Sequence, residues 1–125
     1  MLNLARYGTR DLDRAKSFYD EIAAILGAQR VFDWPNMVGY KAEDGGTFIV
    51  GKPFEGEATA GNGTQVSFGA PSRAAVDAAH AKALELGGKC EGPPGLRGPE
   101  EQGFYAAYFR DLDGNKLMVF RQGPA

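Results

Sequence analysis

The sequence predicts an α+β fold of two βαβββ modules in tandem, each a curved, mostly antiparallel sheet with one helix on its convex face. Three observations predict it. β-prone runs separated by Gly-rich turns occur in two blocks, and each block contains one stretch of helical periodicity. The blocks also align. A shift of 61 positions carries a helix cap, Asp11, onto Ser72 and a helix stop, Gly27, onto Gly88. A shift of 69 carries the turn Asp44-Gly45 onto Asp113-Gly114 and Tyr40-Lys41 onto Phe109-Arg110. The third observation is the stretch from Gly103 to Phe120, GFYAAYFRDLDGNKLMVF, which reads as a hairpin around Asp111-Leu112-Asp113-Gly114-Asn115. The chain is therefore read as a single domain over residues 1–125, with modules at 1–52 and 64–122 and a linker at 53–63.

Each element has a local reason. Leu2 to Gly8 is a short strand. Asp11 caps a helix whose apolar positions Leu12, Ala15, Phe18, Tyr19, Ile22, Ala23 and Leu26 fall on one face, and Gly27 ends it. Strands follow at Gln29 to Asp33, Met37 to Ala42 and Thr47 to Lys52, divided by Trp34-Pro35-Asn36 and Glu43-Asp44-Gly45-Gly46. The linker PFEGEATAGNG is polar and Gly-rich. The order then restarts: strand Thr64 to Ala70, cap Ser72, an Ala-rich helix to Leu86, and a stop at Gly87-Gly88. A strand around Lys89 to Glu91 and a loop from Gly92 to Gln102 lead into the final hairpin.

Composition removes several classes of function. A formal net charge of -2 with interspersed signs gives no basic stripe for phosphates, so nucleic acid is not expected as a partner. No apolar run approaches the length of a membrane span, and the N-terminus carries no signal-peptide pattern. The lone Cys90 has no partner for an internal disulfide, and no Cys/His spacing suggests zinc. These features point to the cytoplasm.

Three blocks, GTRDLDRAKSFYDEI, NGTQVSFGAPSRAAVDAAH and YFRDLDGNKL, occur in an order that resembles the vicinal-oxygen-chelate superfamily. That superfamily includes glyoxalase I, extradiol dioxygenases, and fosfomycin and bleomycin resistance proteins. The resemblance spans nearly the whole chain and implies the two-module fold. It also implies a divalent metal held by His, Glu or Gln on the first and last strands of each module, at positions occupied here by Leu4, Ile49, Gln65 and Met118. The internal repeat relates the same four positions, since Leu4 maps onto Gln65 and Ile49 onto Met118. Leu and Ile ligate nothing, thioethers favour soft metals, and Gln65 alone does not hold a dication. No metal and no other cofactor is expected.

Alternation along the strands adds neighbours on the concave side: Arg6 with Leu4, Ser67 with Gln65, and Tyr108 and Phe120 with Met118, while Met37 and Gly39 accompany Ile49. This mostly apolar, aromatic surface with a few polar groups suits either a small-molecule site or a filled core or subunit interface. Arg6 on such a face needs an acidic neighbour or a bound anion. Arg97, in the loop before the hairpin, is a second candidate for meeting an anion. His80 and Cys90 read as packing residues, and Asp111 and Asp113 as turn formers rather than calcium ligands. The expected protein is a metal-independent binder of a small organic molecule, an anion among the candidates, in the concave cavity of a homodimer. The competing expectation is a lyase or isomerase of glyoxalase I type, either metal-dependent or metal-free with Tyr108, Glu100 or Glu101 as base.

Overall fold

The computed structural model describes all of Met1–Ala125. The first module runs β1 (Leu4–Gly8), α1 (Leu12–Ile25), β2 (Ala28–Trp34), β3 (Met37–Ala42) and β4 (Thr47–Gly51). The second runs β5 (Val66–Gly69), α2 (Arg73–Glu85), β6 (Lys89–Leu96), β7 (Phe104–Arg110) and β8 (Lys116–Gln122). Each module forms its own four-stranded sheet, in the orders β1-β4-β3-β2 and β5-β8-β7-β6. The first strand of each pairs in parallel with the last, and all other pairs are antiparallel. No helix is long and apolar enough to cross a membrane.

Both helices begin as the sequence implies. Asp11 accepts from the Arg14 N–H at 3.2 Å and Ser72 from the Ala75 N–H at 3.0 Å, so each cap satisfies a free helix-terminal donor. Each helix ends where Gly27 and Gly87 adopt positive φ of 78° and 102°. The apolar face of α1 buries Leu12, Ala15, Phe18, Tyr19, Ile22 and Ala23, while α2 buries Val76, Ala79, His80 and Ala83.

The two helices pack on each other as well as on their own sheets. One core joins them, drawing Tyr7, Val38, Tyr40, Phe48 and Val50 from the first sheet and Ala107, Phe109, Leu117 and Val119 from the second. Phe18 approaches Phe109 at 6.2 Å between centroids and Phe48 approaches Phe68 at 5.0 Å, both across the module boundary. Because the helix-facing sides of both sheets meet in one core, their other sides look away from it. We call these the open faces.

The Asp111–Asn115 turn is the polar clasp between the modules. Asp111 is buried and accepts from the Tyr19 hydroxyl at 2.5 Å, the Asn115 side-chain amide at 2.9 Å, and the backbone N–H groups of Asp113 and Asn115. Asn115 also donates to the Gly8 carbonyl at 3.0 Å, and Asp113 accepts from the Thr9 hydroxyl at 2.6 Å and the Arg10 N–H at 2.8 Å. Burial pushes the Asp111 carboxyl above its ordinary value, against the hydrogen bonds from Tyr19 and Asn115 that favour its charged form. The turn reading of Asp111 and Asp113 holds, and the turn does more than reverse the chain.

One segment departs from expectation. β6 does not stop at Glu91 but continues through Pro93 and Pro94 to Leu96, and Glu100–Gln102 forms a short helical turn. Proline has no N–H for a ladder, but β6 is the outer strand of its sheet and needs pairing on one side only. Its register shifts between Cys90 and Gly92 and again between Gly92 and Gly95.

Candidate functional site

The predicted positions divide into two groups on the open faces. Leu4, Arg6, Met37 and Ile49 lie on the first sheet, where Arg6 pairs with Ile49 and Gly39 with Ile49. Ser67, Tyr108, Met118 and Phe120 lie on the second, where Ser67 and Tyr108 both stand opposite Met118. Gln65 falls just before β5 instead of within it, and its exposed amide bonds the Ser67 hydroxyl at 3.3 Å. Leu4 is 54% exposed, Arg6 and Ser67 are exposed, and Tyr108, Met118 and Phe120 are half-buried. Ile49 alone of the set is buried.

The first open face also holds two aromatic residues that alternation had not assigned. Phe32 pairs with Gly39 and Trp34 with Met37, and their rings lie 4.7 Å apart. A Cβ at Gly39 would overlap the Phe32 ring, so the glycine makes room for it. The register shift between Arg30 and Phe32 hid this from the sequence, because a bulge resets which residues share a face.

Arg6 finds no acidic partner within the chain. Its guanidinium crosses Gly51, donates to the Lys52 carbonyl at 2.5 Å, and touches the Met37 sulfur at 3.9 Å. The ion pairs use Arg10, Lys16, Arg30, Lys82 and Arg110, and none involves Arg6, Arg97 or Lys116.

On the second open face, Tyr108 is the centre. Arg97 lies 5.6 Å from its ring centroid and Lys116 lies 5.3 Å from it. Phe104 and Phe120 stack further along at 5.4 Å. Arg110 is neutralised by Glu91 at 2.6 Å. Glu100 and Glu101 stand apart from this group, beside Arg73 and the C-terminal residues Gly123, Pro124 and Ala125.

The four positions that the resemblance assigned to metal ligands do not fit a hard divalent ion here. Leu4 and Ile49 offer no donor atom, and no three His, Cys, Asp or Glu side chains gather anywhere in the chain. His80 is buried on the helix side, and its Nε2 lies 3.3 Å from the Cys90 sulfur, a contact between elements that linear spacing did not indicate. A cavity of about 230 Å³ does exist, but it lies on the helix side of the first sheet. Tyr19, Ile22, Leu26, Tyr40, Phe48 and Phe68 contribute to its wall, and Ser67 is the one predicted site residue beside it.

Two βαβββ modules, each with one helix on the packed side of its sheet and an open, partly aromatic face on the other, define a two-module class of scaffold. The sequence pattern of the glyoxalase/bleomycin resistance protein/dioxygenase superfamily matches residues 2–119, and the chain belongs to that superfamily. A glyoxalase/bleomycin resistance protein from Albidiferax ferrireducens is 36% identical, with a TM-score of 0.86 over 98% of this chain and 99% of that one. A lactoylglutathione lyase from Agrobacterium tumefaciens (23% identity, TM-score 0.66, 97% and 92% covered) shares the fold. So does the fosfomycin resistance protein FosX from Mesorhizobium loti (16% identity, TM-score 0.66, 97% and 90% covered). No protein of curated function matches this sequence.

Proposed function

We propose that this chain is a metal-independent small-molecule-binding protein of the glyoxalase and bleomycin-resistance type. Its ligand lies against the open sheet faces, and a second copy of the chain closes the cavity. The observation that carries this reading is the makeup of those faces: Phe32, Trp34, Met37, Ile49, Phe104, Met118 and Phe120 supply apolar surface, while Arg6 and Tyr108 supply isolated polar groups. Leu4 at 54% and Trp34 at 55% exposure on one face favour a covering partner, and a twofold pairing of identical faces is the simplest cover. The free Cys90 fits a reducing compartment, and we place the protein in the cytoplasm.

The structural neighbours include a lactoylglutathione lyase and a fosfomycin resistance protein, so the fold by itself does not fix the activity. The missing donor set favours binding. A lyase or isomerase of glyoxalase I type would need Tyr108 as its base, since Glu91, the carboxylate nearest to it on that side, is held by Arg110.

Sedimentation equilibrium at micromolar concentration and titration with the neutral fluorescent dye phenylnaphthylamine test the reading together. The expected result is a dimer with saturable dye binding that Met118→Asp weakens by about tenfold or more, roughly 1.4 kcal/mol. A monomer that binds no dye would overturn the proposal, as would binding indifferent to Met118→Asp.

A further inference from the structure

The segment Glu91–Gly98, EGPPGLRG, folds a cation back onto the sheet that precedes it. Gly92 and Gly95 present bare backbone, and the Arg97 guanidinium occupies the space their side chains would take. A Cβ at Gly92 would stand 3.3 Å from Arg97 Nη2, and one at Gly95 would stand 3.2 Å from Nη1. Nη2 donates to the Pro93 carbonyl at 2.6 Å, which fixes the fork in this backbone cradle. The guanidinium then borders the Tyr108 ring, while Lys116 borders the same ring. Gly92 of β6 pairs with Tyr108, and β8 lies on the other side of β7, so the two cations approach the ring from opposite strands.

Holding two cations beside one ring is unfavourable unless something compensates their charge. The aromatic face supplies part of it. Neither Arg97 nor Lys116 is in an ion pair: Glu91, whose charge reaches Lys116, is bonded to Arg110. The chain as a whole is acidic, with a net charge of -2, so two cations outside any ion pair on one face are a local inversion of sign. Beside it lies apolar surface: Met118 pairs with Tyr108, and the stacked Phe104 and Phe120 continue in the same plane.

We propose that the open face of the second sheet is the subsite for an organic anion, its acid group held by Arg97 and Lys116 and its apolar body lying along Met118 and Phe120. This rests on the reading that the ligand occupies the open faces, and it adds the ligand's charge and orientation. Arg97 and Lys116 bind the charged end, and Tyr108 keeps the two cations apart and provides an edge for a flat body.

Two dyes with the same rings separate the two claims: anilinonaphthalene sulfonate carries an acid group, and phenylnaphthylamine does not. The sulfonate should bind about tenfold tighter or more, as a charge-assisted contact would give, and added salt should narrow the gap. Arg97→Gln with Lys116→Gln should remove the gap and leave the neutral dye's affinity unchanged. Arg14→Gln with Lys41→Gln changes net charge equally and should leave the gap intact. Equal affinity for the two dyes in the original protein, or a gap that survives the Arg97/Lys116 pair, overturns the anion subsite while the open-face site stands. Failure of both dyes to bind overturns both.

Discussion

The two modules share one topology and use it in opposite ways on their open faces. In the first, the large side chain comes from the outer strand and the glycine from the inner one: Phe32 lies over Gly39. In the second the exchange is reversed, with Gly92 on the outer strand and Tyr108 on the inner one. Each face fits one ring per cross-strand pair, but the ring moves from edge to centre between modules. The first face is therefore left with Ile49 and Met37 near its middle, and its cations Arg6 and Lys41 each donate to a backbone carbonyl. The second is left with a central phenol and two cations outside any ion pair. A duplicated fold has kept its packing while the side chains on its two open faces have diverged.

The turns between the last two strands differ as sharply. Asp44 of the first module lies in an exposed turn, whereas its counterpart Asp113 and the neighbouring Asp111 grip the other module. The largest expected effect follows. Asp111→Ala leaves the Tyr19 hydroxyl, the Asn115 amide and two backbone N–H groups without their acceptor, and should cost about 3 kcal/mol in urea unfolding. Asp44→Ala should stay within about 0.5 kcal/mol. Similar losses at both positions would mean that the clasp does not join the modules.

A middle-sized effect sharpens the reversed glycines. Gly39→Ala places a methyl into the Phe32 ring and should destabilise by about 1–3 kcal/mol, with much of the loss recovered by adding Phe32→Leu. Gly92→Ala meets Tyr108 Cδ2 at 3.0 Å and Arg97 Nη2 at 3.3 Å, where side chains can yield. It should cost less than about 1 kcal/mol, yet weaken binding of the anionic dye by displacing Arg97. If Gly39→Ala proves the milder substitution, the two faces are not built as reversed copies.

Much of this was legible in the residues, and the failures have physical causes. The helical apolar spacing of α1 matched its buried face from Leu12 to Ala23, with Leu26 as the half-buried cap, because a two-sided solvent-and-core environment writes a clear period. Hairpin parity placed Tyr108, Met118 and Phe120 together, since β7 and β8 pair without a bulge. No face was assigned to β2 or β6, where bulges interrupt the alternation, so Phe32 and Trp34 went unassigned; Arg97 does lie in the connection after β6. Pro93-Pro94 read as the end of a strand because linear sequence does not reveal which strands are outermost. The His80 contact with Cys90 depends on helix-to-sheet packing, for which single-sequence spacing carries no signal.

That last contact gives the smallest prediction and the final test of the comparison, since His80 occupies in α2 the place of Tyr19 in α1. Tyr19 is anchored by a hydrogen bond to Asp111, and burial followed by the Asp111 charge drives its phenol well above its ordinary value, so it stays neutral throughout. His80 has Cys90, the Tyr108 carbonyl and Asp77 around it, and burial lowers its pKa from 6.5 despite the opposing effects of Asp77 and that carbonyl. A lowered folded-state value means the folded chain binds fewer protons than the unfolded chain in this range. The neutral imidazole's contribution is thus present above pH 6.5 and is lost as pH falls below it. Melting temperature should decline over that window, and His80→Gln, which keeps a polar side chain without a titrating proton, should flatten that part of the profile. The ionisation of Asp111 acts with the opposite sign, because its raised value favours the protonated form in the fold. A decline that survives His80→Gln would assign the pH dependence elsewhere and leave position 80 as packing alone.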